Sequence, residues 1–295
     1  MIDVIQALVS GIALGSIYAV LSLGLVIIVR ASGVLNVAQG IFVLLGAYLA
    51  YTFHQLIGLP FWIAVPLAIL ATAAIAVLIE AFIIHRVTNE LFTAILVTFG
   101  LLIVIPPIVK SIWGPQIVSL GDPWELNVVR FAGIGITERD IWLIVLTVVL
   151  LAAFVVFFRF TRLGLQLRAT SMDAEAALAQ GVSTRLVFGL SWGIAGALGA
   201  FAGIMLATTV GGGVRPGLEQ FGLLALPVII LGGLDSPLGA VVGGIIIGVV
   251  QQVTVIWVPE SFGSGFAEVV PYVVMILILL VRPTGLFGSK EVRRV

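Results

Sequence analysis

Long apolar runs, each cut off by a charged residue or a cluster of glycine and proline, set the rhythm of the chain. They fall at roughly 4–29, 34–56, 61–84, 91–109 and 141–158, then at 186–210, 221–234, 238–258 and 266–281. A bilayer core about 30 Å thick is crossed by roughly 20 apolar residues in a helix, so most of these runs are long enough to span. The pattern predicts an all-α polytopic membrane protein of nine transmembrane helices, with eight or ten as the neighbouring counts, forming a single transmembrane domain over 1–295. The runs at 221–234 and 266–281 are the short ones. A transmembrane barrel would alternate apolar and polar positions over about 10 residues, which the unbroken run 143–158 does not do. The first run carries no charge and no basic stretch precedes it, so it reads as a retained helix rather than a signal peptide.

Lysine and arginine orient the chain, because cytoplasmic loops retain them. With an outer N-terminus and nine crossings, the inner side receives Arg30, Arg86, Arg159, Arg162, Arg168, Arg185, Arg282, Lys290, Arg293 and Arg294. Only Lys110, Arg130, Arg139 and Arg215 face out, where the loop 111–140 also carries Asp122, Glu125, Glu138 and Asp140. The C-terminus is therefore expected in the cytoplasm.

Composition narrows the function classes. Apolar residues make up 61% and charged residues 9% of the sequence, against about a quarter charged in soluble domains. Net charge is zero and there are two lysines, which offers no basic surface to nucleic acid. Cysteine is absent, removing disulfides, thiol nucleophiles and thiolate metal sites. No cofactor or metal is expected on this chain.

Glycine pairs four apart, Gly189/Gly193, Gly199/Gly203, Gly239/Gly243 and Gly244/Gly248, have the spacing that lets helix backbones approach in lipid. A weak internal echo links 33–39 plus Gly46 with 213–220 plus Gly232. The first segment is expected inside and the second outside, the relation of inverted repeats that place a path at their interface, although chance similarity accounts for the echo equally well.

The loop 159–186 is too polar to span and too patterned for a plain linker. Thr170 and Asp173 make a capping-box-like pair, Asp173 and Glu175 suit a helix N-terminus, and Gly181 suits its end. A helix of about nine residues over 173–180 is expected, with its alanines and Leu178 offering a small apolar surface to a partner's groove. An interfacial helix in the headgroups is the alternative, but such helices are bulkier and flanked by basic residues. No G-x-x-x-x-G-K-[ST] occurs, so nucleotide phosphates have no phosphate-binding loop here. An ion-driven carrier would keep ionisable residues inside its helices despite the cost, whereas Glu80, Asp235, His54 and His85 sit near helix ends. These features favour a permease energised by a separate ATPase over an ion-coupled carrier. A passive channel stays open as a third reading.

Several stretches resemble the permease subunits of branched-chain amino acid ABC importers. They are Gly15-Ser16-Ile17-Tyr18-Ala19, Gly33-Val34-Leu35-Asn36-Val37-Ala38-Gln39-Gly40, Gly46-Ala47-Tyr48 and Gly164-Leu165-Gln166-Leu167-Arg168-Ala169. Asp173-Ala174-Glu175-Ala176-Ala177, Gly181-Val182 and the stretch from Val228 through Gly232-Gly233-Leu234-Asp235-Ser236-Pro237 to Ala240 follow in the same order. The resemblance implies a heterodimeric or homodimeric permease in the bacterial or archaeal cytoplasmic membrane. Two cytoplasmic ATPase subunits would hydrolyse the ATP, and an external solute-binding protein would deliver the solute. It also implies that the loop holds the coupling helix, with Arg168, Asp173, Glu175, Ala176, Ala177, Gln180 and Gly181 as its residues. Similar permeases carry urea, short amides and aromatic acids. Gln39, where relatives often have His, and the glycine-rich 210–213 depart from the pattern near the presumed path.

Asn36, Gln39 and Glu219 are the candidate path residues, being polar where helices break. Backbone capping is the alternative for Asn36 and Gln39, and plain outer exposure for Glu219. Pro227 is expected to kink or interrupt the seventh apolar run.

Overall fold

The computed structural model describes residues 2–88, 90–121, 123–124, 127–131, 134–172, 174–209, 212–257 and 265–288. In chain order its elements are α1 (Ile2–Ser32), α2 (Gln39–Tyr51), α3 (Phe61–Phe82), α4 (Leu91–Trp113), β1 (Val128–Phe131), β2 (Ile134–Thr137) and α5 (Glu138–Phe160). They continue with α6 (Arg162–Met172), α7 (Ala174–Ala179), α8 (Thr184–Ala207), α9 (Phe221–Gly232), α10 (Pro237–Trp257) and α11 (Phe266–Val281). A π-helical turn, Thr52–Leu56, extends α2, and a 3-10 turn, Leu218–Gln220, leads into α9.

Each of the nine apolar runs holds one apolar helix among the described residues. Six, α1, α3, α4, α5, α8 and α10, are long and apolar enough to cross a membrane, while α2, α9 and α11 are shorter. Helices dominate because hydrocarbon supplies no partner for a backbone amide, so each segment bonds its own. Two features add to what the hydropathy pattern offers. The segment between α4 and α5 contains an antiparallel hairpin pairing Val128 with Thr137 and Phe131 with Ile134, and α5 begins at Glu138, ahead of the apolar run 141–158. Pro227 does not interrupt α9, which runs through it to Gly232.

The chain forms two compact units that interleave along the sequence. One comprises residues 1–26, 124–148 and 224–295. Here α1 crosses α10 at glycine: a Cβ on Gly15 would lie 2.7 Å from the Gly244 carbonyl oxygen, and one on Gly244 2.7 Å from Ala19 Cα. Gly248 of α10 meets Gly15 and Gly11 in the same way, so the predicted Gly244/Gly248 pair has a Gly11/Gly15 pair as its counterpart. Beside this crossing the Tyr18 hydroxyl donates to Gln251 Oε1 at 2.7 Å. At the far end of α9, Gly232 and Gly239 abut backbone to backbone. The amides of Leu286 and Phe287 donate to the carbonyls of Leu231 and Gly232 at 2.8 and 2.9 Å, satisfying acceptors that a helix end leaves open.

The other unit comprises residues 27–123 and 149–223. Helix α8 is its centre, laid against α2 and α3. Gly196 faces Ala76 and Thr72 of α3, and Gly203 faces Val43 of α2. Trp192 and Phe42, both fully buried, meet edge-on at 6.2 Å and 89°. Ile28, Val34, Ile41, Ile79, Ile84 and Ala195 complete that core. Its outer helix α4 presents Phe92, Leu96, Phe99 and Ile103 to the surroundings. So large an apolar face is untenable in water and ordinary in lipid.

Candidate functional site

Two regions hold the residues singled out from the sequence. The first is the polar stretch between α5 and α8. Thr161 starts it: its hydroxyl donates to the Phe157 carbonyl at 2.6 Å and accepts the Gly164 amide at 2.9 Å, which caps α6. Gly164 sits directly against the Phe157–Phe158 backbone, so the turn from α5 into α6 is tight. Leu167 is the inward residue of α6, packed with Ala31 and Val187 and flanked by Phe157, Phe158 and Val182. Arg162, Leu165, Arg168 and Met172 are exposed.

This differs from the single helix expected over 173–180. Thr170 does not cap a helix; it lies inside α6, where its hydroxyl donates to the Gln166 carbonyl at 3.0 Å. Asp173 lies outside the described residues. The second helix, α7, closes as expected at Gly181, whose φ of +83° favours glycine. The amide of Gly181 donates to the Leu178 carbonyl at 2.9 Å, and that of Val182 to the Ala177 carbonyl at 3.0 Å. Ala176, Leu178 and Gln180 face outward on α7, while Ala177 is 5% exposed and faces inward. Glu175 lies within α7. Ser183 then caps α8 by accepting the Leu186 amide at 3.3 Å.

The second region gathers the path candidates. Asn36 and Gln39 are fully buried and satisfied. Asn36 Oδ1 accepts the Ala38 amide at 3.0 Å and Asn36 Nδ2 donates to Gln39 Oε1 at 3.3 Å. Gln39 Nε2 donates to the Ala195 carbonyl at 3.0 Å. Their bonds tie the start of α2 to α8. Glu219 is half-buried, with Oε2 accepting the Gly217 amide at 2.9 Å. Gly40 packs against the Glu219 backbone and Gly222 against Gly40, so no side chain separates the start of α2 from the turn before α9. The two segments of the internal echo thus meet.

Sequence reasoning passed over Tyr48 and Trp113. Tyr48 is fully buried, and its hydroxyl has no hydrogen-bond partner among the described residues. Such a group costs about 1–3 kcal/mol unless something pairs with it. Trp113 stacks at 5.3 Å from the Tyr48 ring and donates through Nε1 to Thr52 Oγ1 at 2.8 Å. A tyrosine inside an apolar run carries no pattern that marks it. Glu80, read as near a helix end, is buried and 3.3 Å from His85 Nδ1.

The long apolar helices, the glycine-packed crossings and the lipid-suited faces define a multi-pass helical membrane protein. Residues 7–279 match the family described as "Branched-chain amino acid transport system / permease component", and the chain belongs to that family. Among curated relatives it is 27% identical to the high-affinity branched-chain amino acid transport system permease protein BraD of Pseudomonas aeruginosa, over 99% of this chain and 98% of that one. It is equally identical to LivH of Escherichia coli, over 99% and 97%, and to LivM of the same organism, over 92% and 67%, both described as permease proteins of that type of system. Among solved structures it is similar to a chain of PsaBC from Streptococcus pneumoniae in complex with Fab, at 18% identity and a TM-score of 0.49, covering 94% of this chain and 88% of that one.

Proposed function

We propose that this chain is the permease subunit of an ABC importer that carries branched-chain or other small amino-acid-like solutes across the cytoplasmic membrane of a bacterium or archaeon. Separate subunits hydrolyse the ATP. The observation that carries the reading is the family match over 7–279, which takes in nearly every described element. The capped helices α6 and α7 support it, since they offer Leu165, Met172 and Leu178 on a polar segment between two spanning helices. All nine apolar helices act as membrane elements, with the N-terminus outside and the C-terminus inside. The contact between the starts of α2 and α9 is in keeping with inverted repeats meeting at depth. A second permease subunit completes the pore, two ATPases dock on the α6–α7 side, and a binding protein delivers solute from outside. That LivH and LivM of one organism both match favours a heterodimer.

Uptake of labelled leucine into proteoliposomes, with and without the partner ATPases and binding protein, tests this. Accumulation is expected only with ATPase, ATP and binding protein together. Gradient-driven accumulation by the permease alone would identify a secondary carrier, and non-saturating downhill flux a channel.

A further inference from the structure

Where α1 begins and α10 ends, two carboxamides and a hydroxyl line one cavity. The helices run antiparallel and touch backbone to backbone at Gly11, where a Cβ would lie 2.7 Å from Val249 Cα. Beyond that contact their ends part around a cavity of about 340 Å³, lined by Gln6, Ala7, Ser10, Gln252 and Ile256. Gln6 is exposed while Ser10 and Gln252 are half-buried, so the cavity opens at Gln6 and deepens toward the other two. Polar side chains further along α1 are used by the fold: Ser16 donates to the Ile12 carbonyl at 2.8 Å, Tyr18 to Gln251 at 2.7 Å and Ser22 to the Ala225 carbonyl at 3.3 Å. The side chains of Gln6, Ser10 and Gln252 form no hydrogen bond among the described residues. Gln251 and Gln252 thus have different tasks, the first holding Tyr18 inside the helix seam and the second bordering the cavity.

We propose that Gln6, Ser10 and Gln252 form an outer-face subsite for a small solute of no net charge, whose polar head both donates and accepts hydrogen bonds and whose short aliphatic tail lies against Ala7 and Ile256. Each carboxamide offers two N–H donors and a carbonyl acceptor, and the hydroxyl offers both roles, so the head of an α-amino acid or a primary amide finds partners for all its polar atoms. The three side chains are uncharged, so a solute bearing a single charge would shed water there without gaining a counter-charge. The cavity spans one turn of each helix, Gln6 to Ser10 and Gln252 to Ile256, and its volume falls at the small end of ligand sites. A small molecule fits that span, whereas a docked helix needs a groove several turns long. The inference deepens the proposed function and rests on it for which face is outer and for the solute being an amino acid.

Ile256→Cys supplies the readout: Ile256 is exposed at the rim, the three polar side chains stay in place, and the sequence has no other cysteine. The transporter is assembled in nanodiscs without its binding protein, which would compete for the solute. A membrane-impermeant maleimide should label Ile256→Cys, and leucine or 4-methylpentanamide should slow that labelling. 4-Methylpentanoate and 3-methylbutylamine, each with a single charge, should need at least about tenfold more for equal protection, the size of one lost hydrogen bond. Gln6→Leu and Gln252→Leu, each in the Ile256→Cys chain, should raise the half-protecting leucine concentration about tenfold. Gln252→Glu supplies a counter-charge and should turn the preference toward 3-methylbutylamine, a change that a merely structural residue would not produce. Labelling of Ser119→Cys, the control, should be indifferent to every solute. Equal protection by charged and neutral solutes, unchanged protection in both leucine variants, or no protection by leucine overturns the subsite. So does an Ile256→Cys that no maleimide reaches, because a lipid or the second permease subunit then covers the cavity. Failure of the subsite leaves ATP-dependent uptake intact, whereas failure of the importer reading appears as uptake without ATP.

Discussion

Asn36 and Gln39 show how far a polar residue at a helix break can be understood from its neighbours in sequence. The bond from the Ala38 amide to Asn36 Oδ1 spans two residues, a local habit of asparagine that the sequence already offers as the capping alternative. The bond from Gln39 to Ala195 spans 156 residues, and only the packed fold supplies it. With both amides buried and bonded, they act first as struts between α2 and α8. Gln39→Ala is expected to remove two bonds and leave the Asn36 amide and the Ala195 carbonyl underused, at a cost of about 1–3 kcal/mol. A lower unfolding midpoint of the purified protein, with transport falling in proportion to folded material, is the expected result. Normal stability with lost transport would instead return Gln39 to the path. Glu219 differs, because its side chain is half exposed and bonds only the turn on which it stands.

At the scale of elements, hydropathy located every apolar helix because each run holds enough apolar residues to fix its position without help from the rest of the chain. It could not foresee the hairpin of β1 and β2, whose four-residue strands are too short to show a period. Nor could it place Thr170, since a threonine at a helix start and one inside a helix look alike until the first turn of α6 is seen to begin eight residues earlier. The consequence falls on α7, where adjacent alanines separate docking from packing. Ala176→Trp adds bulk on the outward face and is expected to abolish co-purification of the ATPase and to reduce uptake, with inserted protein unchanged. Ala177→Trp overfills a buried site, typically at about 1–3 kcal/mol, and should reduce the amount of folded protein instead. If the Ala176 variant co-purifies its ATPase and transports normally, the α6–α7 segment is only a connector.

For the whole molecule, orientation rests on arginine placement and on the length of α5. This helix runs 23 residues from Glu138 to Phe160 and is uncharged from Ile141 to Phe158, long and apolar enough to cross a membrane, and the proposed topology puts the segments before and after it on opposite sides. That holds whether the short helices α2, α9 and α11 cross fully or in part. The side is then chosen by charge: Arg159, Arg162, Arg168 and Arg185 cluster at and after the C-terminal end of α5, against Lys110, Arg130 and Arg139 mixed with four acids at and before its N-terminal end. Because the sequence has no cysteine, single reporters can be introduced without a background to remove. Ser119 and Ser171 are both exposed, one on each side of α5, and serine to cysteine changes little volume. In intact cells a membrane-impermeant maleimide should label Ser119→Cys and spare Ser171→Cys until the membrane is opened, after which both react. The reverse order would place α6 and α7 outside, where no ATPase could reach them, and would remove the coupling role of that segment together with the importer reading.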